Sequence, residues 1–125
     1  MDSICGIDEA GRGPLAGPMV VAGVVLSSSV EGARDSKKLT EAKREALYEQ
    51  IIACSEYKIV FKSHQEIDHK GLSQCLHEAL EEIKNTLVAK RYIMDGNTNF
   101  GVLGINTLIK GDDKITAISC ASILA

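Results

Sequence analysis

The most constraining feature of the sequence is a nearly continuous apolar run, Met-Val-Val-Ala-Gly-Val-Val-Leu, at residues 19–26. The run is rich in valine and has no polar residue, which is typical of a β-strand buried on both faces of a sheet. Such a strand needs a layer of structure above it and another below it. Eight residues are too few to cross a membrane. The sequence therefore predicts a layered fold around a central strand.

Helical patterns interrupt the strands along the rest of the chain. The clearest helix begins at Leu72, where apolar residues recur at the i, i+3, i+4 and i+7 positions of one helical face. Thr40 can cap an earlier helix. The predicted buried face of that earlier helix consists of Ala42, Ala46, Leu47, Ile51 and Cys54. Ser63 predicts only a short turn before Gly71.

The order of these patterns predicts the fold class. The predicted strands are residues 4–8, 19–26, 57–62, 91–94 and 103–109, and the predicted helices are residues 41–54, 72–87 and 114–125. This order predicts an α/β fold in which helices pack on a mixed sheet. We expect one domain over residues 1–125. The last helix has no closing glycine or basic last turn, which predicts a chain cut short at its C-terminus.

Composition and charge narrow the class of protein. The 125 residues are 45% hydrophobic and 25% charged, as in an ordinary globular domain. The net charge of −3 argues against a protein that holds nucleic acid by bulk electrostatics alone. Basic residues concentrate between Arg34 and Arg44, where composition alone favours a solvated helix face. The N-terminus is acidic and has no basic leader, so we expect a cytoplasmic enzyme.

Cysteines and histidines give no sign of a zinc site. Cys5, Cys54, Cys75 and Cys120 are all more than twenty residues apart, so zinc-binding spacing is absent and each is expected to be a small buried hydrophobic residue. The three histidines also lack metal-binding spacing, and no role is assigned to them.

Acidic residues stand where predicted strands give way to glycine-containing turns. Asp8 and Glu9 follow one strand, Asp95 another and Asp112 a third. Carboxylates at strand ends can converge at one edge of a sheet, and hard oxygen ligands suit Mg²⁺ or Mn²⁺. Adjacent strand residues face opposite ways, so Asp8 and Glu9 reach one site only if the backbone turns at Glu9.

Each acid also has a purely structural explanation. Asp95-Gly96-Asn97 is a common turn sequence, and Asp112 can cap the following helix. Taken singly, these explanations are as good as metal binding, and only the coincidence of three such positions favours a site. Gly11-Arg12-Gly13 offers exposed backbone amides but is not a Walker motif, and Lys37 alone is typical of a surface lysine.

Five motifs in order along the whole chain resemble ribonuclease HII, the type 2 ribonuclease H family. The first and most specific is Gly-Ile-Asp-Glu-Ala-Gly-Arg-Gly-Pro-Leu-Ala-Gly-Pro at residues 6–18. The others are Asp-Ser-Lys-Lys-Leu at 35–39, Asp-Gly at 95–96, Lys-Gly-Asp at 110–112 and Ser-Cys-Ala-Ser-Ile-Leu-Ala at 119–125.

The resemblance implies a fold, a site and a reaction. The fold would be a ribonuclease H-like mixed five-stranded sheet flanked by helices. The implied catalytic and metal-binding residues are Asp8, Glu9, Asp95 and Asp112, and the implied substrate-binding residues are Gly11, Arg12, Gly13 and Lys37. Two Mg²⁺ or Mn²⁺ ions would support hydrolysis of the RNA strand of RNA–DNA hybrids and incision on the 5′ side of ribonucleotides embedded in DNA. The glycine-arginine-glycine loop would sense the 2′-hydroxyl, and Lys37 would contact a phosphate.

The sequence departs from the family mainly at its end. Cys120 stands where the family usually has alanine, and the lysine, acid and junction-stacking tyrosine that follow in the family are missing here. The alternative is therefore an inactive fragment that binds metal or nucleic acid weakly. We expect the full-length protein to be a monomer. For the fragment we expect self-association, because the last helix would expose an apolar strip of Ile115, Ile118, Ile123 and Leu124.

Overall fold

The computed structural model describes residues 3–10, 18–26, 40–111 and 115–125. Along the chain these ranges form β1 (Ile4–Ala10), β2 (Met19–Leu26), α1 (Glu41–Cys54), β3 (Ser55–Lys62), α2 (His64–Lys70), α3 (Leu72–Thr86), β4 (Arg91–Asp95), β5 (Ile105–Leu108) and α4 (Thr116–Leu124). The predicted element order is confirmed, except that the chain forms a short helix, α2, where only a turn was expected.

The described strands form one mixed five-stranded sheet in the order β3-β2-β1-β4-β5. β1 is antiparallel to β2 and parallel to β4, β2 is antiparallel to β3, and β4 is parallel to β5. Four strands, β1, β3, β4 and β5, therefore run in the same direction and end at one edge of the sheet. The predicted α/β fold, a mixed five-stranded sheet flanked by helices, is confirmed.

Strand β2 is buried on both faces, as its continuous apolar run predicts. Val21 belongs to one core, which contains the buried side chains of α3. Ala22 and Val24 belong to a second core on the other face, formed with residues of α1 and α4. Because side chains alternate between the two faces of a strand, the apolar run of β2 contributes residues to the cores on both faces of the sheet.

Helix α3 covers one face of the sheet with the apolar stripe that its sequence predicts. Its buried residues are Cys75, Leu76, Ala79, Leu80 and Ile83. The helix ends at Thr86, and the N–H of Leu87 continues the helical hydrogen bonding to the carbonyl of Ile83. Burying these side chains contributes on the order of 1–2 kcal/mol each, so this helix anchors the first core.

Helix α1 has the predicted bounds but a smaller buried face than predicted. The Thr40 hydroxyl accepts a 3.3 Å hydrogen bond from the N–H of Lys43, which confirms the cap. Leu47 and Ile51 are buried, whereas Ala42 and Ala46 are exposed, so the prediction is wrong for these two alanines. The reason is that only the second half of the helix packs into the core shared with β2 and α4.

Helix α2 exists because Ser63 forms a complete capping box. The Ser63 hydroxyl accepts from the N–H of Glu66 at 3.2 Å, and the Glu66 carboxylate accepts from the N–H of Ser63 at 3.3 Å. Two of the backbone N–H groups at the start of the helix are thereby satisfied. The sequence has the Ser-x-x-Glu spacing of this box, so the helix could have been predicted from it.

The apolar residues of helix α4 are buried against other elements of this chain. Ile118, Ile123 and Leu124 are each at most 5% exposed, and the helix contacts β1, β2 and α1. The predicted exposed apolar strip is wrong, because the second face of the sheet and α1 already cover it. The strip therefore gives no reason for self-association.

The cysteines confirm their predicted structural role. Cys5, Cys75 and Cys120 are buried free thiols, and Cys54 is half-buried. Burial raises the pKa of Cys5 and of Cys120 to about 12, so both stay protonated and unreactive at neutral pH. Among the described residues, no helix is both long enough and apolar enough to span a membrane.

Glycine at position 6 sets how closely α4 approaches β1. A Cβ at Gly6 would lie 2.3 Å from the Ala117 carbonyl carbon and 2.3 Å from the Ile118 nitrogen. Those are backbone atoms, which a helix can move only as a whole. The side-chain-free position is therefore a requirement of the helix packing and not of a turn.

We predict that Gly6→Ala destabilises the protein by at least about 3 kcal/mol, because α4 must shift as a body. Gly23→Ala is the matched control on the neighbouring strand, since its added Cβ would meet mainly the Ile83 side chain, at 2.5 Å. Cγ2 of Ile83 belongs to a buried β-branched side chain that yields only by a local shift in packing, so we expect a smaller cost of about 2 kcal/mol there. Urea unfolding of both variants measures the difference, and equal costs would contradict the account.

Candidate active site

Two of the predicted site residues, Asp8 and Asp95, lie side by side on neighbouring parallel strands, Asp95 as the last residue of β4 and Asp8 two residues before the end of β1. Ile7 pairs with Met94 across β1 and β4, and both side chains belong to the core beneath α3. The next residues are Asp8 and Asp95, and side-chain alternation turns both toward the opposite face, which α4 covers. Neighbouring strands lie about 4.8 Å apart, so the two carboxylates are near neighbours.

The backbone around Asp95 holds its carboxylate in place. Oδ1 of Asp95 accepts a 2.9 Å hydrogen bond from the N–H of Gly111, which follows β5. The N–H of Gly96 donates to the carbonyl of Leu108 at 3.2 Å. Gly96 has a φ of 134°, which a residue with a side chain rarely adopts. The glycines after β4 and β5 thus tie the two strand ends together beside the carboxylate.

Glycine 111 also brings α4 close to Asp95. A Cβ at this position would lie 2.7 Å from Cδ1 of Ile118 and 3.7 Å from Oδ1 of Asp95. The residue is buried between the helix and the carboxylate. Its neighbour Asp112 is a predicted ligand that lies outside the described residues.

The Asp8 carboxyl is held in an environment that disfavours its charge. Burial raises the pKa of Asp8 to about 7, and the carboxylates of Asp95 and Glu9 also raise it. Hydrogen bonds from the Glu9 N–H, 2.9 Å from Oδ1, and from the Ser122 side chain oppose the rise. The site therefore concentrates negative charge where water only partly screens it.

Glu9 does not lie at the turn that the sequence predicts. The pairing with β2 continues through Glu9↔Val21 and Ala10↔Val20, so β1 runs straight past Asp8. The turn at Glu9 that would bring both acids to one site is absent, because six consecutive residue pairs, from Cys5↔Val25 to Ala10↔Val20, keep the ladder regular. By alternation Glu9 faces the α3 side, with its Oε2 atom buried, although its charge still acts on Asp8.

The described part of the chain brings together two of the four predicted ligands. Within residues 3–10, 18–26, 40–111 and 115–125, no group of three or more acidic, histidine or cysteine side chains is arranged to hold a metal. The predicted residues Asp112, Gly11, Arg12, Gly13 and Lys37 lie outside these ranges and stay predictions.

Sequence reasoning missed one residue of the site, Ser122. Its side chain, on the last turn of α4, lies close enough to the Asp8 carboxyl to lower the pKa of that group. The serine belongs to a motif that carries the family resemblance, but a hydroxyl on a small-residue helix gave no indication of its partner. Only the position of α4 over β1 reveals the contact.

Comparison with known proteins agrees with this arrangement. A profile described as ribonuclease HII matches residues 5–125. The chain is 53% identical over 122 residues to the ribonuclease HII of Sulfurovum sp. (strain NBC37-1), covering 98% of this chain and 65% of that protein. It is 51% identical over 127 residues to the ribonuclease HII of Aliarcobacter butzleri (strain RM4018), covering 100% of this chain and 66% of that protein. The chain thus spans about two thirds of the length of these relatives.

A solved structure extends the likeness to the fold. The structure of a PCNA:RNase HII complex from Archaeoglobus fulgidus matches with a TM-score of 0.86 at 30% identity, over 98% of this chain and 70% of that one. The mixed sheet and its helices therefore define a ribonuclease H-like fold. Within that class, the chain belongs to the ribonuclease HII family.

We predict that Asp8→Asn raises the melting temperature of the metal-free protein in EDTA, and only at higher pH. Because the folded-state pKa of Asp8 is raised from 3.8 to about 7, folding favours the protonated form. That contribution is fully present below pH 3.8 and is lost as pH rises through 7. The variant should match the wild type near pH 4 and melt about 3–5 °C higher at pH 8.

Asp68→Asn on the exposed surface of α2 is the control for removing a carboxylate. It should change the melting temperature much less, and equally at the two pH values. Scanning calorimetry at both pH values makes the comparison. A lower melting temperature for Asp8→Asn at pH 8 would show that the Asp8 charge stabilises the fold.

Proposed function

We propose that this chain carries the catalytic carboxylates of a metal-dependent endonuclease of the ribonuclease H type. Its substrates would be the RNA strand of RNA–DNA hybrids and ribonucleotides embedded in DNA, which it would incise on their 5′ side. The observation that carries the proposal is the juxtaposition of Asp8 and Asp95 on two neighbouring parallel strands, near the edge of the sheet where those strands end. Membership of the ribonuclease HII family supports the same reaction.

The residues present fit a divalent cation. Asp8 and Asp95 offer hard oxygen ligands, as Mg²⁺ and Mn²⁺ prefer. Burial and the neighbouring carboxylates, which raise the pKa of Asp8, leave negative charge that a dication would neutralise. We propose that Asp8, Asp95 and Asp112 hold the cation, and that Glu9, whose side chain faces the other side of β1, joins them only if the end of that strand turns when the metal binds. When bound, the metal supplies Lewis acidity, which activates water and stabilises charge on a leaving oxygen.

The chain's own groups would orient the reaction and hold the ligands. The Gly111 N–H fixes one oxygen of Asp95, so the other is available for a ligand. In the hydrolysis, a water oxygen forms a bond to phosphorus while the bond to the 3′ oxygen breaks, and a proton ends on that oxygen. The preceding nucleotide is left with a 3′-hydroxyl, and the ribonucleotide carries the 5′-phosphate.

Substrate selection would rest on residues near the first motif. We propose that Gly11, Arg12 and Gly13 sense the 2′-hydroxyl, which is the group that separates RNA from DNA. Lys37 would contact a backbone phosphate. The proposed roles are removal of single ribonucleotides from DNA, as a form of DNA repair, and clearance of RNA from hybrids, in the cytoplasm of the cell.

The alternative is an inactive fragment that binds metal or nucleic acid weakly. One observation favours it, because the chain spans 65% of its relative from Sulfurovum sp. (strain NBC37-1). If the remaining third of the relatives' length completes the substrate cleft, a chain of 125 residues has only part of that cleft. The full-length protein is proposed to be a monomer.

We predict that Asp8→Asn and Asp95→Asn each lower cleavage at least about 100-fold, because an amide keeps the shape of the carboxylate but loses its charge. The assay follows nicking of a duplex that holds one ribonucleotide, in Mg²⁺ and in Mn²⁺. A C-terminally extended form carries the substitutions, and the exposed Asp68→Asn variant is the control. An active Asp8→Asn enzyme would place the metal site elsewhere.

The same assay separates the enzyme from the inactive fragment. The 125-residue chain should nick at least about tenfold more slowly than the extended form, since positioning groups of the cleft would be missing. Equal rates for a monomeric short form and the long form would contradict this view of the missing third. No cleavage by either form would contradict the proposed function.

A further inference from the structure

The connection between β4 and β5 joins two parallel strands without a helix. We call residues 96–104, which lead from the end of β4 to the start of β5, the crossover segment. Parallel strands are usually joined by a helix, whose backbone satisfies its own hydrogen bonds. The carbonyl groups of the crossover segment therefore need other partners.

Helix α3 supplies two of these partners from one side. Nδ1 of His77 lies 2.7 Å from the carbonyl oxygen of Phe100, and Nζ of Lys84 donates to the carbonyl of Leu103. The two α3 residues are about two helical turns apart, so both lie on the same side of the helix. The crossover segment is thus held against α3 through its backbone.

Phe100 has an unfavourable backbone conformation where its carbonyl meets His77. Its φ of 50° is in the left-handed region, which residues other than glycine rarely adopt. Gly101 follows with a φ of 81°, and a Cβ added there would lie 3.7 Å from Nδ1 of His77. Such a conformation persists only where surrounding contacts hold it, and the contact with His77 is one of them.

Both ring nitrogens of His77 face atoms that can only accept a hydrogen bond. Nε2 lies 2.8 Å from Oε1 of Glu81, and Nδ1 faces the Phe100 carbonyl. A neutral imidazole has one N–H and can donate to only one of these two acceptors. The imidazolium donates to both, so the geometry is that of the cationic form.

We propose that His77 is a pH-sensitive latch, whose imidazolium holds the crossover segment on α3 and whose deprotonation loosens that segment. The charged groups that face the ring are Glu81 and Glu78, both on α3, whereas the crossover segment has no titratable side chain. The segment begins directly after Asp95, so the latch adjoins the candidate active site.

The pH range of the latch follows from its hydrogen bonds. The Phe100 carbonyl raises the pKa of His77 above its usual 6.5; desolvation opposes the rise, and the Glu81 carboxylate adds to it. Because the folded-state pKa is raised, the stabilisation is fully present below pH 6.5 and is lost as the pH rises through the folded-state pKa.

The first measurement is an NMR titration of the two ring nitrogens of His77 between about pH 5 and about pH 9. Both should carry protons until the pH exceeds 6.5. Glu81→Gln keeps an acceptor but removes its charge, so the transition should move to lower pH. Glu82→Gln is the matched control, because its carboxylate pairs instead with Lys58 at 3.3 Å. A wild-type transition at or below pH 6.5 overturns the proposal.

The second measurement is hydrogen exchange at the amide of Val102, which is buried and donates to the Asn99 carbonyl at 3.1 Å. Protection in wild type should exceed that in His77→Ala by roughly five- to tenfold near pH 6, and by about twofold or less near pH 9. Comparing the two proteins at each pH cancels the contribution of other titrating groups. Equal protection near pH 6, or the same ratio at both pH values, contradicts a latch.

Discussion

The contact between the backbone of α4 and the backbone of β1 at Gly6 controls the rest of the structure. It allows α4 to lie flat on the second face of the sheet, where it completes the core with α1 and buries its own apolar residues. The same contact shields Asp8 from water and places Ser122 beside it. A bulkier residue at position 6 would push α4 away from β1. That shift would loosen the packing of the second core and expose the Asp8 carboxyl to water. Fold stability and site geometry are thus linked through one side-chain-free position.

Placing two carboxyl groups side by side in a partly buried site is electrostatically unfavourable. Burial disfavours the charged form of Asp8, and repulsion from Asp95, which strand register brings beside it, adds to that effect. Hydrogen bonds from Gly111 to Asp95 and from Glu9 and Ser122 to Asp8 offset part of this repulsion. Residues that oppose the stability of the metal-free fold are commonly those that a ligand needs. The carboxylate pair is therefore the part of the fold with the clearest functional explanation.

Much of the fold could be predicted from local sequence. The apolar run at 19–26 predicts β2 with its observed bounds, and the stripe beginning at Leu72 predicts α3, because burial imposes a period of two on strands and 3.6 on helices. The alanines of α1 were misassigned, since periodicity identifies a face but not the length over which neighbours cover it. The burial of α4 was also missed, because it depends on how β1, β2 and α1 meet in space.

The site was predictable to the extent that it follows strand ends. Asp8 and Asp95 were identified because each ends a predicted strand, and parallel pairing brings such positions together, although β1 itself continues to Ala10. The orientation of Glu9 was not, because a turn and a straight strand are equally compatible with Glu-Ala-Gly. Ser122 was not assigned a role, because its contact joins residues 114 positions apart through a helix whose placement no local pattern encodes.

The most direct test of the central claim, that Asp8 and Asp95 form one metal site, is anomalous diffraction from crystals of the chain soaked in Mn²⁺. Data collected at the manganese edge locate the ion without reference to activity. The account predicts the strongest peak about 2.0–2.5 Å from carboxylate oxygens of both Asp8 and Asp95. A strongest peak at other residues, or carboxylates of Asp8 and Asp95 more than about 10 Å apart, would contradict it.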